Sequence, residues 1–244
     1  MIDYYSKRAR EYERIYHKPE RQADIAHLRE HLCQALAGRR VLEVACGTGF
    51  WTAVIANSVH SIYATDASEE VLEIGRSKQI DPARVTFAYG DAYQPLVPKC
   101  EFDAGLAMFW WSHIPHARLT SFVESFHAAL QPGAQVVLAD NRFVEGSSTS
   151  VSRTDAEGNT YQLRRLDDGS THEVLKNFPS ADDLQRVFAP FAERLEIALF
   201  DYFWCATYQT KAPSAPALSE VLIGRVEKRE IMIADYDPRW PAKF

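Results

Sequence analysis

Val41-Leu42-Glu43-Val44-Ala45-Cys46-Gly47-Thr48-Gly49-Phe50-Trp51-Thr52 reads as a short apolar strand carrying an acid near its end, then a glycine loop that opens a helix. A backbone this bare at a strand tip lets a ligand approach main-chain amides that side chains would otherwise shield. Glycine turns of this kind also serve nicotinamide cofactors, and others merely close a strand-to-helix connection. The flanking sequence decides between these.

Ser61-Ile62-Tyr63-Ala64-Thr65 is a second strand ending at Asp66, and Ala67 to Gln79 has helical spacing with Val71, Leu72 and Ile74 on one face. An acid at that tip, beside the glycine loop, is placed to accept hydrogen bonds from both hydroxyls of a ribose. A third strand, Val85 to Tyr89, delivers Gly90-Asp91-Ala92 to the same edge. A fourth, Phe102 to Met108, opens into Phe109-Trp110-Trp111-Ser112-His113. After a helix over Leu119 to Leu130, Gln131-Pro132-Gly133 is expected to stop it before a fifth strand, Ala134 to Ala139. A nicotinamide dehydrogenase shares this sheet, but its Gly-x-Gly-x-x-Gly fingerprint needs a third glycine. Here Phe50, Trp51 and Thr52 follow Gly49, and Asp91 has no task in that alternative.

On these motifs the chain resembles the class I S-adenosylmethionine-dependent methyltransferases over roughly residues 35–210. The resemblance implies an α/β Rossmann-like fold: a mostly parallel seven-stranded sheet with helices on both faces, an N-terminal helical lid and an antiparallel insertion after the fifth strand. It implies S-adenosyl-L-methionine as cofactor. Glu43, Ala45, Gly47, Thr48 and Gly49 border its methionine part, Asp66 with Ala67 the ribose, and Asp91 with Ala92 the adenine; Met108 and Phe109 lie beneath it. Ala45 stands where the family carries its first glycine, a change the backbone tolerates at negative φ.

The 244 residues are 46% hydrophobic and 12% aromatic, enough for one large core. A net charge of -6 argues against a nucleic-acid groove. No apolar run approaches the roughly 20 residues of a membrane span, and the N-terminus lacks the apolar stretch of a secretion signal, so a cytoplasmic protein is expected. Cys33, Cys46, Cys100 and Cys205 share no paired spacing, so neither a metal nor a disulfide is expected.

Residues 3–17 read as a helix with Tyr4, Tyr5, Tyr12 and Tyr16, followed by a second helix from about Glu20 to Leu36. Tyr12 is the candidate lid contact to the cofactor carboxylate; packing on the core is the equal alternative. Residues 147–178 read as the antiparallel insertion lying over the strand tips. A two-residue Asp168-Gly169 turn there sets Arg164 opposite Glu173 and Leu163 opposite Val174. Ser180 to Asp183 resembles a capping box for a helix to Phe188, and Leu195 to Gln209 is strand-like, as one strand or two. The expected methyltransferase domain is 1–211. Residues 212–244 form a linker and a tail; Arg229 to Phe244 resembles the opening of a GrpB-type domain, so the chain is expected to be part of a two-domain protein.

Methyl transfer needs a nucleophile held in line and little else. His113 is the candidate base, with a helix-capping role as its alternative. Trp110 and Trp111 either sandwich the acceptor or seal the core. Asn141 and Arg142 leave the fifth strand tip, and Arg142 is the candidate contact to a small, anionic acceptor methylated on oxygen or nitrogen. A cofactor-binding regulatory module without catalysis is the alternative function.

Overall fold

A computed structural model describes Arg8 and residues 12–97 and 101–211. The chain divides into two units, Met1–Ala212 and Pro213–Phe244; the second, with its GrpB-like tail, lies outside the described residues, as do the Tyr12 side chain and Cys100.

The strands are β1 (Arg40–Val44), β2 (Ser61–Asp66), β3 (Val85–Tyr89), β4 (Phe102–Met108), β5 (Leu130–Asn141), β6 (Arg153–Thr154), β7 (Thr160–Arg165), β8 (Thr171–Leu175), β9 (Ala192–Leu199) and β10 (Phe203–Thr210). The helices are α1 (Gln22–Ala35), α2 (Phe50–Ile55), α3 (Glu69–Ser77), α4 (Leu119–Ala128) and α5 (Ala181–Phe188). One seven-stranded sheet runs β3-β2-β1-β4-β5-β10-β9, parallel except where β10 pairs antiparallel with β5 and β9. The strand-like stretch near the C-terminus is therefore two strands, turned at residues 200–202.

Val41, Leu42 and Val44 of β1 are all buried because both faces of the strand are covered. Val41 joins a core with Leu28 and Leu32 of α1 and Trp51 and Ile55 of α2. Leu42 and Val44 join the opposite core with Phe122 and Phe126 of α4 and Leu184 and Phe188 of α5. The capping box at α5 forms as read: Asp183 N–H donates to Ser180 Oγ at 3.2 Å, and Ser180 N–H donates to Asp183 Oδ2 at 3.1 Å.

Two expectations are corrected. β5 begins at Leu130, not Ala134, and runs through Gln131-Pro132-Gly133 to Asn141. Gly133 takes φ +74° and the β4 register shifts there, a bulge that admits the exposed Pro132.

The insertion is a three-stranded antiparallel sheet β6-β7-β8, but its register is one residue off the reading. Leu163 faces Glu173, and Arg164 faces His172. The loop holds three residues, not two: Leu166 N–H donates to Ser170 O at 3.0 Å and Gly169 takes φ +83°, the αL position of a bulged turn. A one-residue slip exchanges the faces. Glu173 therefore pairs with Arg153, at 2.9 and 2.6 Å, and Arg164 turns to the opposite side.

Gly49 and Gly75 form a slot for the Phe87 ring. A Cβ on Gly49 would lie 2.9 Å from that ring, and its φ of +71° is left-handed. Gly49→Ala is expected to lose about 2 kcal/mol of stability from the αL penalty and overpacking together, read as a lower urea midpoint.

Candidate functional site

The strand order reverses between β1 and β4, and an open α/β sheet takes its ligand in the crevice outside such a point. The glycine loop crosses this crevice on three left-handed residues, Ala45 (φ +52°), Gly47 (φ +56°) and Gly49 (φ +71°). The negative φ expected of Ala45 is not adopted. The loop turns sharply enough to bring Cys46 N–H to Thr65 O (3.0 Å) and Gly47 N–H to Asp66 Oδ2 (2.9 Å). Phe109, at the tip of β4, is also left-handed (φ +59°), its N–H held by Ala139 O at 2.7 Å. Strain of this kind persists only where the surroundings over-determine it, and here it marks the crevice wall.

Asp66 Oδ1 accepts from Ser68 N–H at 3.0 Å, so its carboxylate braces the loop from below. Burial pushes its carboxyl up, against the pull of the amides of Gly47 and Ser68. Glu43 lies deeper, 1% exposed, and accepts from Thr52 Oγ1 at 2.6 Å. Burial raises its carboxyl to about 8. Ala67 follows Asp66 directly. Asp91 is exposed at the tip of β3 with Oδ1 accepting from Tyr93 N–H at 2.9 Å, and Ala92 is buried beside it. Met108 is buried at the end of β4.

This donor set fits a nucleoside better than a dinucleotide. Carboxylates at two adjacent strand tips suit a ribose diol and an exocyclic amine, and Trp110 meets Tyr93 edge-on (5.6 Å) beside Asp91. Residues 45–49 contain no Lys or Arg for a pyrophosphate, and Lys78 is taken by Glu13 at 2.6 Å. With Asp66 beneath it the loop favours a cation.

The N-terminal segment covers the loop. Residues Tyr12–His17 form a 3-10 turn rather than an α-helix. Glu13 accepts from Thr48 Oγ1 at 2.7 Å, and Tyr16 stacks on Phe50 with centroids 4.2 Å apart.

Next to the crevice lies a cavity of about 90 Å³, enclosed by this segment, the tips of β4 and β5, and the insertion. Arg21, Phe109, His113, Asn141, Arg164 and Lys176 line it, and its described lining includes no Asp or Glu. Arg21 is 8% exposed. It donates to Asn141 Oδ1 (3.2 Å) and Ser147 Oγ (3.3 Å), both neutral and both long, and its Nε is buried without an acceptor. Burial lowers its pKa, partly offset by the charges of Glu20 and Asp24. A buried guanidinium normally has an acid; among the described residues no ion pair to Arg21 is formed, and its Nε has no acceptor.

Lys176 is neutralised. Its ammonium donates to Asp140 Oδ1 (3.1 Å) and Ser112 Oγ (2.6 Å), and Asp140 also accepts from Ser112 N–H and Asn141 N–H. Burial would raise the Asp140 carboxyl, but Lys176 and the amides of Ser112 and Asn141 act together against it and the net displacement is downward; burial lowers Lys176. His113 is 5% exposed, with Nδ1 2.7 Å from Leu175 O. A carbonyl only accepts, so Nδ1 carries the proton and the lone pair belongs to Nε2. Burial, then the Lys176 charge, drives the imidazole pKa down, so the ring is neutral.

The structure brings His113 and Asn141 together and leaves out three sequence candidates. Arg142 donates to Phe200 O, pinning the end of β5 to the turn at residues 200–202, and does not line the cavity. Trp111 packs on Phe188 (4.7 Å) in the core, and Trp110 is half-buried against Tyr93. Arg21 was missed. Its one signal is a cation in Pro19-Glu20-Arg21 at a helix start, where the dipole disfavours positive charge. Arg164 was hidden by the hairpin register.

A sequence model described as "Methyltransferase domain" matches residues 41–133, which span the nucleoside crevice and stop short of Asn141, Arg164 and Lys176. A demethylmenaquinone methyltransferase of Clavibacter sepedonicus is 31% identical over 105 residues, 43% of this chain and 42% of the relative. The chain thus spans between about two fifths and three fifths of the length of the curated relatives it matches. Two solved structures cover nearly all of the fold. "DhpI-SAH complex structure" superposes with a TM-score of 0.69 at 27% identity, covering 86% of this chain and 95% of that one. "DhpI-SAM-HEP complex" gives 0.69 and 27%, with 84% and 94% covered. With the sheet order, the glycine loop and the acids at the tips of β2 and β3, these likenesses agree with the resemblance read from the sequence: the chain has the class I S-adenosylmethionine-dependent methyltransferase fold, with a methyltransferase domain matched over residues 41–133.

Proposed function

We propose that the chain transfers a methyl group from S-adenosylmethionine to a small anionic acceptor. The observation that carries the acceptor class is Arg21, a buried cation with no ion pair among the described residues, in a cavity that adjoins the nucleoside crevice at Phe109 and Asn141. When bound, the cofactor supplies an electrophilic methyl group on a sulfonium. The chain's residues do the rest. Asp66 orients the ribose, Asp91 and Ala92 meet the adenine, and the loop from Ala45 to Gly49 passes along the methionine part. The Glu13–Thr48 contact closes the N-terminal segment over the loop and keeps water out. Arg21 and Arg164 hold the acceptor, and the neutral His113 and Asn141 orient it.

The relatives named for demethylmenaquinone align over too little of the chain to carry their acceptor across. A cavity of about 90 Å³ lined by Arg21, Arg164 and Lys176 also suits a small anion better than a flat apolar quinone.

Calorimetric titration with S-adenosylmethionine and with NADH tests the cofactor. Saturable binding of the sulfonium alone is expected, weakened at least tenfold, about 1.4 kcal/mol, in Asp66→Ala at a temperature where the variant's melt shows it folded. Preference for NADH, or no binding of either, would overturn the reading.

A further inference from the structure

We propose that Phe178 sets the size of acceptor that the chain takes: its ring is the partition between the anion cavity and a larger apolar groove behind it, and shortening the side chain lets an anion carry an aliphatic tail into that groove. This rests on the anionic-acceptor reading above and goes beyond it by naming a specificity-determining residue and what it excludes.

The groove has a volume of about 350 Å³, against about 90 Å³ for the cavity. Trp111, Ile114, Leu119, Pro179 and Val187 give it apolar walls. Its charged residues Asp183 and Arg186 are paired with each other at 3.0 Å. Asn177, buried at its base, is also satisfied: its amide donates to Ile114 O at 3.1 Å and its Oδ1 accepts from Thr160 N–H at 2.9 Å. Such a surface suits a hydrocarbon chain, which needs no polar partner.

Three elements place neighbouring residues on the two sides of the partition. In the turn after β4, His113 lines the cavity and Ile114 the groove; on β7, Gln162 lines the cavity and Thr160 the groove; after β8, Lys176 lines the cavity and Asn177 the groove. Among the described residues Phe178 alone lines both. An anion held at Arg21 and Arg164 with a tail directed towards the groove must therefore meet this ring.

The backbone behind the ring is fixed from both sides. Lys176 N–H donates to Thr160 O and Asn177 N–H to Ser112 O, each at 2.8 Å. On the other side Pro179 disfavours helical backbone at Phe178, and Ser180 caps α5. The ring itself is half-buried and meets Phe143 edge-on, with centroids 5.4 Å apart. Shortening the side chain thus opens the partition without releasing the segment that carries it.

The test is calorimetric titration, in the presence of S-adenosylhomocysteine, with methylphosphonate and with n-pentylphosphonate. The unaltered protein is expected to bind methylphosphonate and to bind the pentyl anion at least tenfold more weakly. In Phe178→Ala the ratio of the two affinities should move at least tenfold towards the pentyl anion, because its methylenes leave water for the groove. Phe178→Leu, which keeps an apolar contact for Phe143, should move it at least threefold and serves if Phe178→Ala fails to fold. Refilling the groove in Phe178→Ala/Val187→Trp should abolish the gain and leave methylphosphonate binding as in Phe178→Ala. Equal affinity of the unaltered protein for both anions, a loss shared equally by both in the Phe178 variants, or a gain that survives the refilled groove overturns the proposal and leaves the anionic-acceptor reading intact. Binding of S-adenosylhomocysteine with neither anion bound would instead remove that reading, and the proposal with it.

Discussion

Replacing Lys176 with Met is expected to lower the folding stability by about 3–5 kcal/mol, because it leaves Asp140 ionised and alone in the core. The Asp140 side chain is 0% exposed and that of Lys176 9%. The pair joins three separate pieces: the end of β5, the turn after β4 that carries Ser112, and the segment that leaves β8. The attraction of two buried charges roughly offsets their desolvation, so the intact pair adds little net stability; removing one member exposes the desolvation of the other in full. Urea unfolding of the Lys176→Met variant reads the loss. In the Lys176→Met/Asp140→Asn double variant most of it should return, since a neutral amide keeps the acceptor for Ser112 N–H without the charge. A loss below about 1 kcal/mol would mean that water reaches Asp140.

Acidification from pH 7 to pH 4 is expected to cost about 3 kcal/mol through His127 alone. Burial lowers its imidazole to about 4, and its Nε2 lies 2.8 Å from Tyr208 Oη. The unfolded chain takes up this proton near pH 6.5, whereas the folded chain resists it until about pH 4. The unfolded state therefore binds more protons across that window. Stability is fully present above the unfolded pKa and lost as pH falls through the folded one. His113, also displaced downward by burial, adds in the same direction. Stability measured by urea at a series of pH values should fall across the window and fall less in His127→Gln. Equal slopes in the two proteins would place the acid sensitivity elsewhere.

The crevice was legible in the sequence because its residues lie at strand tips, and the strands announce themselves as apolar runs at regular spacing. Glu43, Asp66, Asp91 and Phe109 come to one edge through topology alone. The cavity beside it was not, for two physical reasons. Side-chain facing in a hairpin depends on loop length to a single residue, and Asp168-Gly169 fits both a two-residue turn and the end of a three-residue one. The misjudged register set Arg164 against Glu173 and removed it from the site. Arg21 and Arg142 show the other limit. Each is one cation in a polar stretch, and only the packed chain decides which one faces the cavity and which one ties down the turn at residues 200–202.

The most direct measurement is a crystal structure of the protein with S-adenosylhomocysteine and methylphosphonate together. The nucleoside should lie between Asp66 and Asp91 with the glycine loop along its amino-acid tail, and a phosphonate oxygen should sit within hydrogen-bond distance of the Arg21 guanidinium, beside Asn141 and His113. An empty crevice, or an anion bound away from Arg21 while the nucleoside is in place, would contradict it.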